Sequence, residues 1–145
     1  MINIIRSIFL LGLGCVFSCS GTVKHIEPYT YKGDSRFQAT IYRDTMGIPH
    51  IFGETDADAV FGLAYAHAED DFKTIQDLLM GARGILASEY GPKLAPVDYY
   101  VHLIGVWDDI NTRYEQEVSD DIKRICEAYA AGINKYANEN KSERI

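Results

Sequence analysis

The sequence predicts an α+β domain in which a short β-hairpin precedes long amphipathic helices. Apolar residues alternate with polar ones from residue 37 to 42, which is typical of a half-buried strand. Turn-forming residues follow at 44–47, and apolar residues then recur at helical spacing over two long stretches. The chain has 145 residues, enough for one domain at most. We assign the folded part to residues 37–145.

The hairpin is predicted from residues 37–52. Phe37, Ala39 and Ile41 lie on one side of the first strand. Gly47 can adopt a positive φ in the turn. Pro49 cannot donate a ladder hydrogen bond, so we expect it at an edge or at the start of the second strand.

A long helix is predicted next. Thr55 is its cap, with Asp58 three residues later, and Gly84 is its stop, with a short helical segment over 85–90. Its apolar stripe is predicted to consist of Val60, Leu63, Ala64, His67, Ile75, Leu78, Leu79 and Ala82.

A second amphipathic helix is predicted after residues 93–111, which we expect to be irregular or loosely helical. Ser119 is its predicted cap. Cys126 is expected to lie on its apolar face as a small hydrophobic residue. The stripe comprises Ile122, Ile125, Cys126, Tyr129, Ile133 and Tyr136.

The first 18 residues are typical of an export signal. Arg6 precedes an apolar run over 8–17, which is shorter than the roughly 20 residues a membrane span needs. The run ends in VFSC, which resembles the cleavage box of bacterial lipoproteins and makes Cys19 the expected lipidation site. We expect residues 19–36 to be a lipid-anchored tether, and the protein to be periplasmic or a membrane-anchored lipoprotein. A plain secretory signal and an uncleaved anchor are the alternatives.

The charge of the chain disfavours nucleic acid as a partner. The net charge is −7, and no run of Lys and Arg interrupts it. Binding to phosphate backbones depends on such cationic contacts. We therefore expect no nucleic acid partner and contact with a membrane through the lipid anchor alone.

Several motifs occur in a fixed order along the chain. They are YRDTMGIPHIF at 42–52, FGLAYAHAEDD at 61–71, ARG at 82–84, EYGP at 89–92 and AYAAGINKY at 128–136. Together they resemble the N-terminal signature of the penicillin acylase family, whose α-chains open with a strand close to RDxxGxPHI. The resemblance extends from about residue 40 to 138.

This resemblance implies an N-terminal-nucleophile hydrolase with an αββα sandwich fold. Members are made as precursors and cut into an α- and a β-chain, whose N-terminal Ser attacks an amide carbonyl with its own α-amino group as base. That Ser follows Gly and precedes Asn, a setting that Ser35, Ser88, Ser119 and Ser142 lack. The implied partners are the β-chain of the same precursor and a small acylated amide substrate. We expect an N-terminal fragment that is inactive alone, with no cofactor; calcium is a candidate ligand of the full-length enzyme.

No catalytic or metal-binding residue is predicted within the chain. His67, Glu69 and Asp70 have side chains of the types that bind metals, but His67 and Glu69 are two residues apart on a helix and point to different faces. His50 as a catalytic base is the other alternative. The family-motif residues expected to have structural roles are Arg43, Asp44, Gly47, Pro49, His50, His67, Glu69, Asp70, Arg83 and Gly84.

Two further expectations concern the substrate and the functional class of the protein. The signature is similar in acylases for penicillins, cephalosporins, acyl-homoserine lactones and lipopeptides. Asp77 lies near the position where glutaryl cephalosporin acylases carry a pocket Arg, so the resemblance implies an apolar or aromatic acyl group. The alternative function is a non-catalytic exported lipoprotein that binds a partner through its helices.

Overall fold

The computed structural model describes residues 29–32 and 36–145, and begins with a three-stranded antiparallel sheet. Strands β1 (Tyr29–Lys32), β2 (Gln38–Arg43) and β3 (Pro49–Gly53) lie in the order β1-β2-β3. The predicted hairpin is β2-β3, with Ile41 opposite Ile51. Pro49 starts the edge strand β3, and Gly47 has a φ of 83°, so both expectations are confirmed. Strand β1 was not predicted, and it lies in the segment assigned to the tether.

Helix α1 (Asp56–Arg83) has the predicted ends. The Thr55 hydroxyl accepts a hydrogen bond from the Asp58 amide at 3.2 Å, and the Asp58 carboxylate accepts one from the Thr55 amide at 3.1 Å. This reciprocal pair is a capping box and confirms the predicted start. Gly84 closes the helix in the left-handed conformation with φ 67°. A short helix α2 (Leu86–Tyr90) follows.

The predicted apolar stripe of α1 was correct for Ala64, which is buried, and for Ile75, which packs against the core, and wrong for several of its larger members. Leu63 and His67 are exposed, as are Leu78 and Leu79. The buried residues are smaller and more aromatic, because α1 packs closely on both the sheet and the last helix. They are Ala57, Phe61, Gly62, Ala64, Tyr65, Ala66, Ala68 and Phe72.

Residues 93–111, which we expected to be irregular or loosely helical, are largely helical. A 3₁₀ turn over Pro92–Leu94 leads into α3 (Ala95–Ile104) and α4 (Val106–Glu117). Gly105, with φ 67°, separates the two helices. The pattern was unclear because few of their apolar side chains are buried.

The last helix, α5 (Asp120–Glu139), is where the sequence predicted it, and a 3₁₀ turn over Lys141–Glu143 follows. Ser119 occupies the N-cap position, but its side chain makes no capping hydrogen bond. Cys126 is exposed, which corrects the prediction that it is a buried apolar residue. Ile133 and Tyr136 of the predicted stripe are buried, whereas Ile122 and Tyr129 are 49% and 37% exposed.

Helix α1 is the centre of the core. One cluster joins Ile41 of β2 to Tyr65, Phe72 and Tyr136, and a second joins Phe37 and Ala39 to Phe61. The sheet therefore packs on one side of α1 and α5 on another. The predicted α+β class, a hairpin followed by long helices, is confirmed. In the part of the chain that the structure describes, no helix is long and apolar enough to cross a membrane.

Candidate functional site

The motif residues of the hairpin and α1 meet around Arg43, in a cluster that we call the hairpin–helix node (Arg43, Asp44, Gly47, His50, Glu69, Asp70). Arg43 Nη1 donates to the Gly47 carbonyl at 2.9 Å. Its Nη2 lies 3.1 Å from Glu69 Oε2 and 2.9 Å from Asp70 Oδ1. The Arg43 and Glu69 side chains are 16% and 23% exposed, so their ion pair is partly shielded from water, whereas Asp70 is 55% exposed. Arg43 thus ties the hairpin turn to the helix.

Asp44 organises the turn itself. Its Oδ1 accepts hydrogen bonds from the Met46 and Ile48 amides at 2.8 and 3.0 Å. The Ile48 amide is the main reason that the pKa of the Asp44 carboxyl lies below its usual range, and the imidazole of His50 adds to this effect. His50 Nε2 lies 3.2 Å from Asp44 Oδ2. Pro49, beside His50, starts β3 and is half-buried.

A His–Asp pair can serve nucleophilic catalysis when a hydroxyl or thiol is hydrogen-bonded to the imidazole. Within residues 36–145, the imidazole of His50 contacts the Asp44 carboxylate and the ring of Tyr42, and no hydroxyl or thiol is hydrogen-bonded to it. Arg43 contacts the Gly47 carbonyl and the Glu69 and Asp70 carboxylates, which all belong to this chain. The node is therefore arranged to hold the turn on the helix.

His67 lies apart from the node. It is exposed, and its Nδ1 is 3.5 Å from the hydroxyl of Tyr129 on α5. Glu69 points to Arg43, so the two side chains do lie on different faces of α1. Among the described residues, no group of three His, Cys, Asp or Glu side chains could hold a metal ion.

The remaining motif residues, Arg83 and Gly84, lie at a second cluster, the helix corner (Ala82, Arg83, Gly84, Asp98, His102, Trp107). The Arg83 guanidinium lies 4.7 Å from the centre of the Trp107 ring, a cation–π contact. Trp107 Nε1 donates to the Ala82 carbonyl at 2.6 Å, and His102 Nε2 is 3.1 Å from the Gly84 carbonyl. Carbonyls left free at the end of α1 thus find partners on α3 and α4.

Asp98 was missed by the sequence analysis. Its carboxylate accepts hydrogen bonds from the Leu86 and Ala87 amides at 2.8 and 2.7 Å, and the residue is 9% exposed. It therefore caps α2 from a different helix. Because the capping side chain is separated from the amides by more than ten residues, no local motif could have indicated it.

Asp77, the position relevant to the acyl group, is held by neighbouring side chains. Its Oδ2 lies 2.7 Å from Lys73 Nζ, and its Oδ1 accepts a hydrogen bond from the Tyr90 hydroxyl. Lys73 also donates to that hydroxyl at 2.8 Å. The hydrogen bond from Lys73 is the main cause that lowers the pKa of the Asp77 carboxyl.

An extended apolar surface lies on α3 and α4. Asp98, the acidic residue of α3, is buried at the helix corner, so the exposed side of α3 is largely apolar and aromatic. Contiguous exposed apolar groups of this kind mark interaction surfaces. We call the following exposed residues the α3–α4 apolar surface: Val97, Tyr99, Tyr100, Leu103, Ile104, Val106 and Ile110.

The sequence matches a family model described as penicillin amidase over residues 38–144. The chain belongs to the penicillin amidase family. This match confirms the resemblance drawn from the motifs, and it contains both the hairpin–helix node and the helix corner.

Relatives of this penicillin amidase chain are acylases by name. It is 32% identical to the acyl-homoserine lactone acylase QuiP of Pseudomonas aeruginosa over 97 residues, which are 67% of this chain and 11% of that protein. It is 30% identical to the penicillin acylase 2 proenzyme of Pseudomonas sp. (strain SE83) over 96 residues, or 66% of this chain and 12% of that protein. The matched segment thus spans 11% and 12% of the lengths of these two relatives.

A solved structure shares the fold of this penicillin amidase chain. The thermostable penicillin G acylase of Alcaligenes faecalis matches with a TM-score of 0.64 at 22% identity. The match covers 81% of this chain and 57% of that one. The hairpin followed by long helices is therefore a portion of the penicillin acylase fold.

Proposed function

We propose that the chain is the N-terminal part of an exported acylase that hydrolyses a linear amide bond. One observation carries the proposal: a penicillin amidase match over residues 38–144, in a chain that spans 11% of its acylase relative. The activity belongs to the whole precursor, and this chain supplies a scaffold.

The nucleophile in this proposal is a Ser at the N-terminus of a β-chain that lies outside these 145 residues. It attacks the amide carbonyl, and its α-amino group accepts the proton, giving an acyl-enzyme that water then hydrolyses. The internal contacts of Arg43 and His50 support a scaffold role for the hairpin–helix node. Calcium, where the full-length enzyme uses it, would be bound mostly or wholly by residues outside this chain.

The partner in this proposal is that β-chain. Its expected contacts are the α3–α4 apolar surface and the edge of β3 that pairs with no other strand of the described residues, where Phe52 is 64% exposed and Ile48, just before the strand, is 52% exposed. Burial of about 25 cal/mol per Å2 of apolar area makes such surfaces favourable contacts.

Export and anchoring rest on residues 1–19. The signal-like segment and Cys19 lie outside the described residues, so their support is the sequence: one basic residue, a short apolar run and the VFSC box. We propose a periplasmic or membrane-anchored lipoprotein with residues 19–36 as its lipid-anchored tether.

The substrate in this proposal is a small acylated amide with an apolar or aromatic acyl group. The relatives named above act on acyl-homoserine lactones and penicillins by name. Asp77 lies near the position where glutaryl cephalosporin acylases carry a pocket Arg, and its ion pair with Lys73 offsets the positive charge of that Lys, so the pair does not favour an anionic acyl group.

The test compares the chain alone with the chain co-expressed with the polypeptide encoded directly downstream. Phenylacetyl- and long-acyl-amide chromogenic substrates report hydrolysis. We expect turnover in the co-expressed sample and none from the chain alone. Turnover by the chain alone that His50→Ala abolishes, and the matched His67→Ala leaves unchanged, would contradict the scaffold role.

A non-catalytic lipoprotein that binds a partner through its helices is the second candidate. The α3–α4 apolar surface favours it equally, because any protein partner could cover that surface. A stop codon at a clean gene end directly downstream would support this candidate, and an open frame encoding Gly-Ser-Asn would support the acylase.

A further inference from the structure

Helix α1 contains one break, and nothing in its local sequence forces it. Asp71 has φ −157° and ψ 71°, far from helical values, although the helix continues on both sides. Sharp changes in helix direction arise from Pro, Gly/Ser pairs, π-bulges or a side chain entering the hydrogen-bond ladder. Residues 66–76 read AHAEDDFKTIQ and contain no Pro, Gly or Ser. The cause therefore lies in side-chain contacts.

On the upstream side of the break, Arg43 of the hairpin meets the end of a helical segment. Its Nη2 lies 3.3 Å from the Ala66 carbonyl, as well as beside the carboxylates of Glu69 and Asp70. A cation near a helix C-terminus is favourable, because the last carbonyls carry partial negative charge. Arg43 thus stabilises an end of the upstream segment at Asp70.

On the downstream side, Asp71 starts a new helical segment. Its Oδ1 accepts a hydrogen bond from the Thr74 amide at 3.1 Å, which is the geometry of an N-cap three residues ahead of its donor. Hydrogen bonds from the Thr74 hydroxyl and amide hold the pKa of the Asp71 carboxyl below its usual range. The carboxylate is therefore the form that caps.

The charges of residues 69–71 agree with this division. Three consecutive acidic residues are unfavourable at the end of a helix and favourable at a start. Arg43 offsets the first two by ion pairing, and Asp71 lies at the N-terminus of the second segment, where its negative charge is stabilising.

The break separates two parts of the structure. Upstream residues such as Phe61 pack on the sheet, whereas the downstream segment leads through Gly84 to the helix corner and the α3–α4 apolar surface. We propose that Asp71 is a hinge of α1, held bent by Arg43 on one side and by its own cap on the other. The direction of the α3–α4 apolar surface relative to the sheet then depends on these two side chains.

The test measures a distance across the hinge. Spin labels are placed at Leu63→Cys and Leu79→Cys, both on exposed positions, in the full chain with Cys15, Cys19 and Cys126 changed to Ser. A straight helix would separate the two Cα atoms by about 24 Å, and a bend shortens this distance. We expect Asp71→Ala to lengthen the separation toward that of a straight helix, because the second segment loses its cap and straightens.

Two further variants and a control make the test specific. Asp71→Asn keeps a capping oxygen, so the parent distance should be retained. Arg43→Ala should broaden the distribution toward longer distances. Arg113→Ala removes a comparable set of ion pairs on α4 and should change nothing. Unchanged distances in Asp71→Ala would overturn the hinge. Asp71 is exposed, so we expect this variant to fold and to test the hinge even if Arg43→Ala does not fold.

Discussion

Replacing Gly132 with Ala should destabilise the chain, although Ala is the better helix former. Gly132 lies on the buried face of α5, where that helix crosses α1. A Cβ at this position would lie 2.4 Å from the Phe61 carbonyl oxygen and 2.7 Å from the Ala64 Cβ. Both distances are far below van der Waals contact, and the first involves backbone that cannot rotate away.

The magnitude is the difference between two opposing effects. Helix propensity favours Ala over Gly by about 1 kcal/mol. Overpacking of a well-packed contact costs about 1–3 kcal/mol, and the backbone contact places this site at the upper end. We therefore expect a net loss of roughly 2 kcal/mol in the free energy of unfolding, which corresponds to about a 30-fold rise in the opening equilibrium.

Amide hydrogen exchange on peptides from α1 and α5 measures this rise directly, because exchange of protected amides follows local opening. The matched control is Gly81→Ala in α1, where the new Cβ would lie 3.5 Å from the Leu86 Cδ1, an ordinary contact. There we expect slower exchange, with stabilisation of up to about 1 kcal/mol. Equal or slower exchange in Gly132→Ala than in the parent would refute the close-packing argument.

Three further predictions concern caps and the anchor. Asp98→Ala should destabilise α2 by roughly 2–3 kcal/mol, because the Leu86 and Ala87 amides lose a charged acceptor. Hydrogen exchange of the amides of residues 85–90 should then be faster than in the parent, and equal exchange rates would contradict the cap. The pKa of Asp58 is lowered, first by the Thr55 hydroxyl and then by the Gln38 amide. The Asp58 carboxylate therefore stabilises the folded state above pH 3.8, its unfolded pKa, and this stabilisation is lost as the pH falls through the lower folded pKa. Acid unfolding followed by circular dichroism should accordingly shift to higher pH in Thr55→Ala and not in Thr55→Ser. Cys19→Ser should abolish palmitate labelling and membrane association in bacteria, and equal labelling of the variant would disprove the lipidation site.

Local signals sufficed for the β2-β3 hairpin and for the ends of α1. The alternation around Ile41, the capping box at Thr55 and the left-handed stop at Gly84 each involve residues close in sequence, so their physics is visible without the fold. The motif residues around Arg43 were also recognised, but their mutual contacts were not predictable. Arg43 and Glu69 are separated by 26 residues, and a reverse turn, strand β3 and more than three turns of α1 bring them together.

The sequence by itself determined the class of the chain, its family, the β2-β3 hairpin and the two long helices, because strand alternation, caps and motif spacing are local. Only the tertiary structure decided which face of α1 is buried, since the close approach of α5 at Gly132 and of the sheet selects small residues such as Ala64 over the larger Leu63. It also decided the break at Asp71 and the cap from Asp98. Each of these depends on a charged side chain delivered by a distant element, and electrostatic partners of that kind leave no periodicity in a sequence.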